Sequence, residues 1–170
     1  IAPRERLVRL QRQKSRSEQL LRSVSLLGQR LATVTSIPEI MPHLAVFLGE
    51  IDARAYFLAL FPSGTVQVPD QCALAYEFRE GAVLQETGKP MSLEGFLSHS
   101  IDSTPHSIGG ASLSSDYTAD HPVSRSVYQL VAGAEIPGII VYEVDDDVLP
   151  HMHTSAVFLA NTVKRLYVLD

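Results

Sequence analysis

Apolar positions from Leu7 onward return at intervals of three and four residues. With Leu7 placed at heptad position a, the seam reads Leu7, Leu10, Lys14, Ser17, Leu21, Val24, Gly28, Leu31, five of the eight apolar. Residues 4–35 contain no Pro and one Gly, which predicts a single long helix. Leu20 and Leu27 widen the stripe in its second half, where packing on its own domain competes with a dimer seam. The first half is too narrow a stripe for a core helix, so a partner helix is expected there.

"TSIPEIMPHLAVFLGEI" (35–51) predicts a second helix, capped by Ser36, with Pro38 in its first turn and Ile40, Leu44, Phe47, Leu48 and Ile51 inward. "ARAYFLALF" (53–61) and "QCALAYEF" (71–78) predict strands, and "REGAVL" continues the meander past a turn at Glu80–Gly81. Alternation puts Arg54, Tyr56, Leu58 and Leu60 on one face and Ala55, Phe57 and Ala59 on the other. Both faces are apolar, so both require a cover.

Residues 85–124 are rich in Ser, Gly, Pro and Asp, with one helix-like piece at Ser92–Ser98. Such a stretch inside a domain suggests a binding loop or lid. Strands at 126–132 and 138–144 follow, joined through Gly133–Ala134. A last helix, capped by Asp147, carries the stripe Met152, Ala156, Leu159, Val163, Leu166, which can also join a coiled seam. A parallel homodimer is therefore expected through Leu7, Leu10, Leu21, Val24, Leu31, Leu159, Val163 and Leu166.

The 170-residue length suits one domain plus an appendage and needs no disulfide or metal staple. The single Cys72 excludes an intrachain disulfide, no apolar run approaches the ~18 residues of a membrane span, and the N-terminus lacks a signal-peptide centre. A cytoplasmic protein without membrane contact is expected. The net charge of −5 conceals a basic start: Arg4, Arg6, Arg9, Arg12, Lys14, Arg16, Arg22 and Arg30. Nucleic acid is the weaker reading of that stretch, because Glu5 and Glu18 interrupt it and no aromatic accompanies it; a solvated face is the stronger.

His99, His106 and His121 match no zinc spacing, and His151 and His153, two apart on a helix, point different ways. No metal site and no cofactor are assigned. There is no Gly-x-Ser-x-Gly elbow, and Asp145, Asp146 and Asp147 favour the helix start rather than a cation, so a non-enzyme is expected. A ligand between sheet and cap would be lined by Tyr56, Tyr76, Phe78, Phe96, His99, Tyr117, Arg125 and Tyr128, with Arg125 holding a carboxylate or phosphate. The alternative is that these aromatics are core and Arg125 is a surface charge.

The order helix, helix, strand, strand, variable region, strand, strand, helix predicts an α+β fold: an antiparallel sheet with helices on one face and a loop-built cap on the other. "LLRSVSLLGQRLATVTSIPEIMPHLAVFLGEIDARAYFLALF" resembles the opening of a GAF domain, and "VYQLVAGAEIPGIIVYEVDD" with the helix after it resembles the GAF closing hairpin. The resemblance covers roughly residues 20–170, leaving 1–19 as a coiled-coil extension, and points to GAF modules of bacterial multidomain signalling proteins, including those that precede GGDEF diguanylate cyclase domains. It implies a sensory module that binds a small molecule and signals through its terminal helices to a covalently linked output domain, or alternatively a ligand-free dimerisation spacer. The Asn-Lys-x-Phe motif of the cyclic-nucleotide subclass is missing, and Cys72 falls on a strand, away from where a bilin would attach.

Overall fold

The computed structural model describes residues 2–79, 82–85, 88–102 and 125–169. Helix α1 (Ala2–Leu31) is followed by a 3-10 turn (Ile37–Glu39), α2 (Ile40–Glu50) and strands β1 (Ala55–Leu60), β2 (Gln71–Arg79), β3 (Ala82–Gln85) and β4 (Lys89–Ser92). Among the described residues, helix α3 (Leu93–Asp102), β5 (Ser126–Ala132), β6 (Glu135–Glu143), a 3-10 turn (Asp146–Val148) and α4 (Leu149–Leu169) follow. All strand pairings are antiparallel, in the order β3-β2-β1-β6-β5, with β4 pairing β2 beside β3. The expected α+β architecture is what the chain adopts, and β6 begins three residues before the expected strand at 138.

Helices α1, α2 and α4 share one apolar core with the Tyr56/Leu58 face of β1. Helix α3 contributes Phe96 to a second core with Ala55, Phe57 and Ala59 on the opposite face. The period-2 alternation therefore assigns each face of β1 correctly. Ser92 starts α3, its Oγ accepting from the Gly95 N–H at 3.0 Å, and the helix runs past the expected Ser98.

Two expected caps differ. Ser36 makes no capping bond; the Glu39 carboxylate instead accepts from the Thr35 N–H at 2.7 Å, and that bond holds its carboxyl below the usual range. Asp147 lies inside the 3-10 turn before α4, and its carboxylate accepts from Arg16. Helix α2 closes with a left-handed Asp52 (φ 55°), the Asp52 N–H donating to Gly49 O and the Ala53 N–H to Leu48 O, so both ending carbonyls are satisfied.

The proposed dimer seam divides. Val24, Leu31, Leu159, Val163 and Leu166 are at most 4% exposed and lie within the chain's own core, which leaves them no surface for a second copy. Leu7, Leu10 and Leu21 remain more than half exposed. The three-four spacing that suits a coiled coil equally suits a helix on its own sheet, and from Leu20 onward the intrachain core takes it. Gly28, a seam position by pattern, is where a Cβ would meet the Phe158 ring of α4 at 2.9 Å. Arg165 fastens the pair, its guanidinium donating to Leu31 O (2.8 Å) and Val34 O (3.0 Å) at the α1 C-terminus, where the helix dipole favours a cation.

The closing hairpin turns at Gly133 (φ 65°), the first central residue of a two-residue loop between the paired Ala132 and Glu135, as in a type II′ turn. Gly138 serves a different need: a Cβ there would run into the Ala59 backbone carbonyl on the neighbouring strand. Gly138→Ala should cost about 2–3 kcal/mol through forced separation of β1 and β6. Urea unfolding checks this, with Gly49→Ala in helix α2, where a Cβ meets nothing within 4 Å and helix propensity should add about 0.5–1 kcal/mol, as the control of opposite sign.

Candidate functional site

Phe57, at the centre of β1, is fully buried on the α3 side of the sheet. It is flanked by two potential cations. The His99 ring of α3 stands edge-on to it at 5.7 Å and 85°, and the Arg125 guanidinium lies 5.3 Å from its centroid. Each is tied to a carboxylate on a neighbouring strand. His99 Nε2 is 2.7 Å from Glu77 Oε1, whose other oxygen accepts from Arg79 Nε at 3.0 Å. Arg125 Nε donates to Glu143 Oε1 at 3.1 Å, and its Nη1 donates to the Ser100 carbonyl of α3.

The register explains why these groups meet. Glu77 pairs directly with Phe57 across β1–β2, while Arg79 and Glu143 both pair with Ala55, one on each side. The polar groups thus sit at the Ala55 end of this face, and the apolar cluster of Phe61, Cys72, Leu74 and Phe96 fills the other end. Burial pushes the Cys72 thiol up, which keeps it neutral. The Arg125 and Glu143 side chains are only 4% and 10% exposed, so neither charge is acceptable without the other.

Of the residues expected to line one pocket, Phe96, His99 and Arg125 meet here. Tyr56, Tyr76, Phe78 and Tyr128 do not, because they project to the helix-covered face. Tyr56 and Tyr76 pack edge-to-face at 6.4 Å in the main core, and Phe78 pairs with Tyr56 across the strands. Tyr128 stacks on His153 of α4 at 4.8 Å. Burial, with Tyr76 and Tyr142 alongside, drives the Tyr56 phenol far above its ordinary range, so it stays neutral. Tyr117, His106 and His121 lie outside the described residues. The pocket expectation omitted Phe57, Glu77, Arg79 and Glu143, although single glutamates inside the apolar runs "LAYEF" and "VYEV" were the available signal.

The arrangement does not end at Glu143. The Arg54 N–H donates to Glu143 O at 2.9 Å, and its side chain binds Asp145 at 2.7 Å. Asp145 and Asp147 face Arg16 of α1 at 4.0 and 3.1 Å, and Asp52 faces it at 3.8 Å. Polar links therefore run from Ser100 on α3, through β6, to α1. Among the described residues no three His, Cys, Asp or Glu side chains converge as a metal site.

Arg125→Met should lose about 3–5 kcal/mol by leaving the Glu143 carboxylate buried alone. Adding Glu143→Leu should restore much of it. Chemical denaturation of both singles and the double gives the coupling, and a double variant no more stable than Arg125→Met would contradict the pairing.

No family model matches the sequence, and no curated protein sequence matches it significantly. Solved structures do. The GAF domain from Acinetobacter phosphoenolpyruvate-protein phosphotransferase aligns over 88% of this chain and 95% of that one, at 9% identity and TM-score 0.56. The A. aeolicus nlh2 GAF domain, in an inactive state, aligns over 91% and 98%, at 10% identity and TM-score 0.53. The chain therefore has the fold of a GAF domain.

Proposed function

We propose that this chain is a sensory or regulatory module of a cytoplasmic signal-transduction protein, binding a small molecule between the sheet and the α3 side. Occupancy would be passed through α1 and α4 to a covalently linked output domain, for which the sequence resemblance suggests the diguanylate cyclase type. The observation that carries this reading is the continuous set of links Ser100–Arg125–Glu143–Arg54–Asp145–Arg16. A ligand competing for Arg125 or His99 would alter the support of α1, which shifts a population between helix arrangements. The GAF fold of proteins such as a phosphotransferase is in keeping with it.

A ligand-free spacer is the second reading. It is favoured by Phe57 and Phe96, both fully buried, and by the internal pairing of Arg125, Glu143 and Glu77. Native mass spectrometry of freshly purified protein and a thermal-shift metabolite panel separate the two. The sensor reading expects a bound mass or a stabilising ligand whose effect is lost in His99→Ala, a half-exposed position whose loss leaves the Glu77–Arg79 pair in place. No bound mass and no shift with any compound would leave the spacer.

Association of two copies would use the projecting half of α1, where Leu7 and Leu10 are exposed. Residues 4–16 hold six basic side chains and one acidic, 6 − 1 = +5 per copy, so paired arms repel. Added salt should therefore strengthen the dimer, and removing residues 1–19 should abolish it. Sedimentation at micromolar concentration checks both, and a truncated protein that stays dimeric would place the interface elsewhere.

A further inference from the structure

A groove lies on the opposite side of the sheet from His99 and Arg125, between the middle of α1 and the start of α4. It is an open groove of about 510 Å³ lined by Arg12, Gln13, Arg16, Ser17, Leu20, Asp147 and His151. That volume falls within the range of small-molecule clefts.

Its walls are rich in hydrogen-bond donors. Among the described residues, the Arg12, Gln13, Ser17 and His151 side chains make no hydrogen bond or ion pair. Arg16 spends only Nε on a hydrogen bond, to Asp147 at 3.1 Å; its two terminal nitrogens lie 3.8 and 4.0 Å from Asp52 and Asp145, beyond hydrogen-bond reach. Among the described residues lining it, the one carboxylate, Asp147, is already held by Arg16. Asp145 is bound at 2.7 Å by Arg54, and Asp52 is 77% exposed to screening water. Arg12 stands one turn before Arg16, so their planar forks can face one anion together. Fully buried Leu20 supplies an apolar wall.

We propose that this cleft binds a phosphate-bearing anion, held by the Arg12 and Arg16 guanidiniums and by His151, with any apolar portion against Leu20. Guanidinium forks match phosphate oxygens two at a time, whereas the cleft offers a cation only an occupied carboxylate. Such a ligand would bridge α1 to α4 at the point where α1 leaves the domain. Its site is on a different face of the domain from any ligand on the α3 side, and among the described residues Arg16 is the one common to this groove and to the polar links from Arg125.

The test is titration of the whole chain with inorganic pyrophosphate, followed by backbone amide NMR, against sodium chloride at matched ionic strength. Saturable shifts confined to residues 12–20 and 147–151, weakened about tenfold or more in Arg12→Gln/His151→Asn, support the site. Arg12 is exposed and His151 half-buried, so these variants keep the core, which a thermal melt confirms. Co-sedimentation with phosphatidylglycerol vesicles identifies the source: binding to vesicles with the same dependence on Arg12 and His151 makes it a lipid headgroup, and pyrophosphate binding without it makes it a soluble phosphate. Shifts that never saturate, that chloride reproduces, or that survive the double substitution, with no vesicle binding, would overturn the proposal.

Discussion

Every residue of β1 from Ala55 to Ala59 is at most 1% exposed, and this double-sided burial is the constraint from which the architecture follows. A strand buried on both faces needs two covers. The sheet takes α1, α2 and α4 on the Tyr56 face and α3 on the Phe57 face. Any polar side chain that alternation directs to the second face is then withdrawn from water by α3. Glu77 and Glu143 are such residues, 5% and 8% exposed. A carboxylate in that position must be neutralised or paired, and the Arg79, His99 and Arg125 contacts do this. The polar cluster is thus a consequence of how the sheet is covered, in the same step that makes it a candidate site.

The same geometry decides where a disturbance can go. Glu143 is the last residue of β6, and Asp145 and Asp147 follow it at once. A change in the Arg125–Glu143 contact acts on a strand end whose next carboxylates hold Arg54 and Arg16. The two kinds of link differ in strength. The Arg125–Glu143 pair is buried and expensive to break, whereas the pairs to Arg16 are partly exposed and worth about 0.2–1 kcal/mol each. The weak pairs to Arg16 can therefore exchange without disturbing the buried pair or the sheet.

Much of the fold was legible because it depends on local periods. The order of elements, the two faces of β1 and the Gly133 turn all follow from spacing and turn chemistry. What a face packs against is not local. Tyr56 and Phe57 were placed on opposite faces correctly, yet nothing in "ARAYFLALF" says which of them meets α3. The pattern alone therefore makes Tyr56 and Tyr76 look like pocket residues, although they belong to the main core. The leucine spacing of α1 has the same ambiguity, since a helix of this chain and a helix of another copy demand the same stripe. Pro38 and Asp147 fell near helix starts as expected, but Thr35–Glu39 and Arg16 took the bonds that Ser36 and Asp147 were assigned, because competing partners arrive only with the tertiary fold.

Helix α1 is accordingly two objects in one. From Leu20 to Leu31 it is core, capped at its C-terminus by Arg165. From residue 3 to 19 every side chain but Arg16 is exposed, while Arg12, Gln13, Arg16 and Ser17 still line the groove shared with Asp147 and His151. Arg16 stands near the border between them and holds three carboxylates from two connections. Because α1 is one unbroken helix, its packed second half sets the direction of the exposed half, and the Arg16 contacts add weak links along its side. Coupling between sites is typically about 1–3 kcal/mol, the same size as a few such contacts together. A free energy of that size is enough to exchange the Arg16 contacts and too small to undo the Leu20–Leu31 packing.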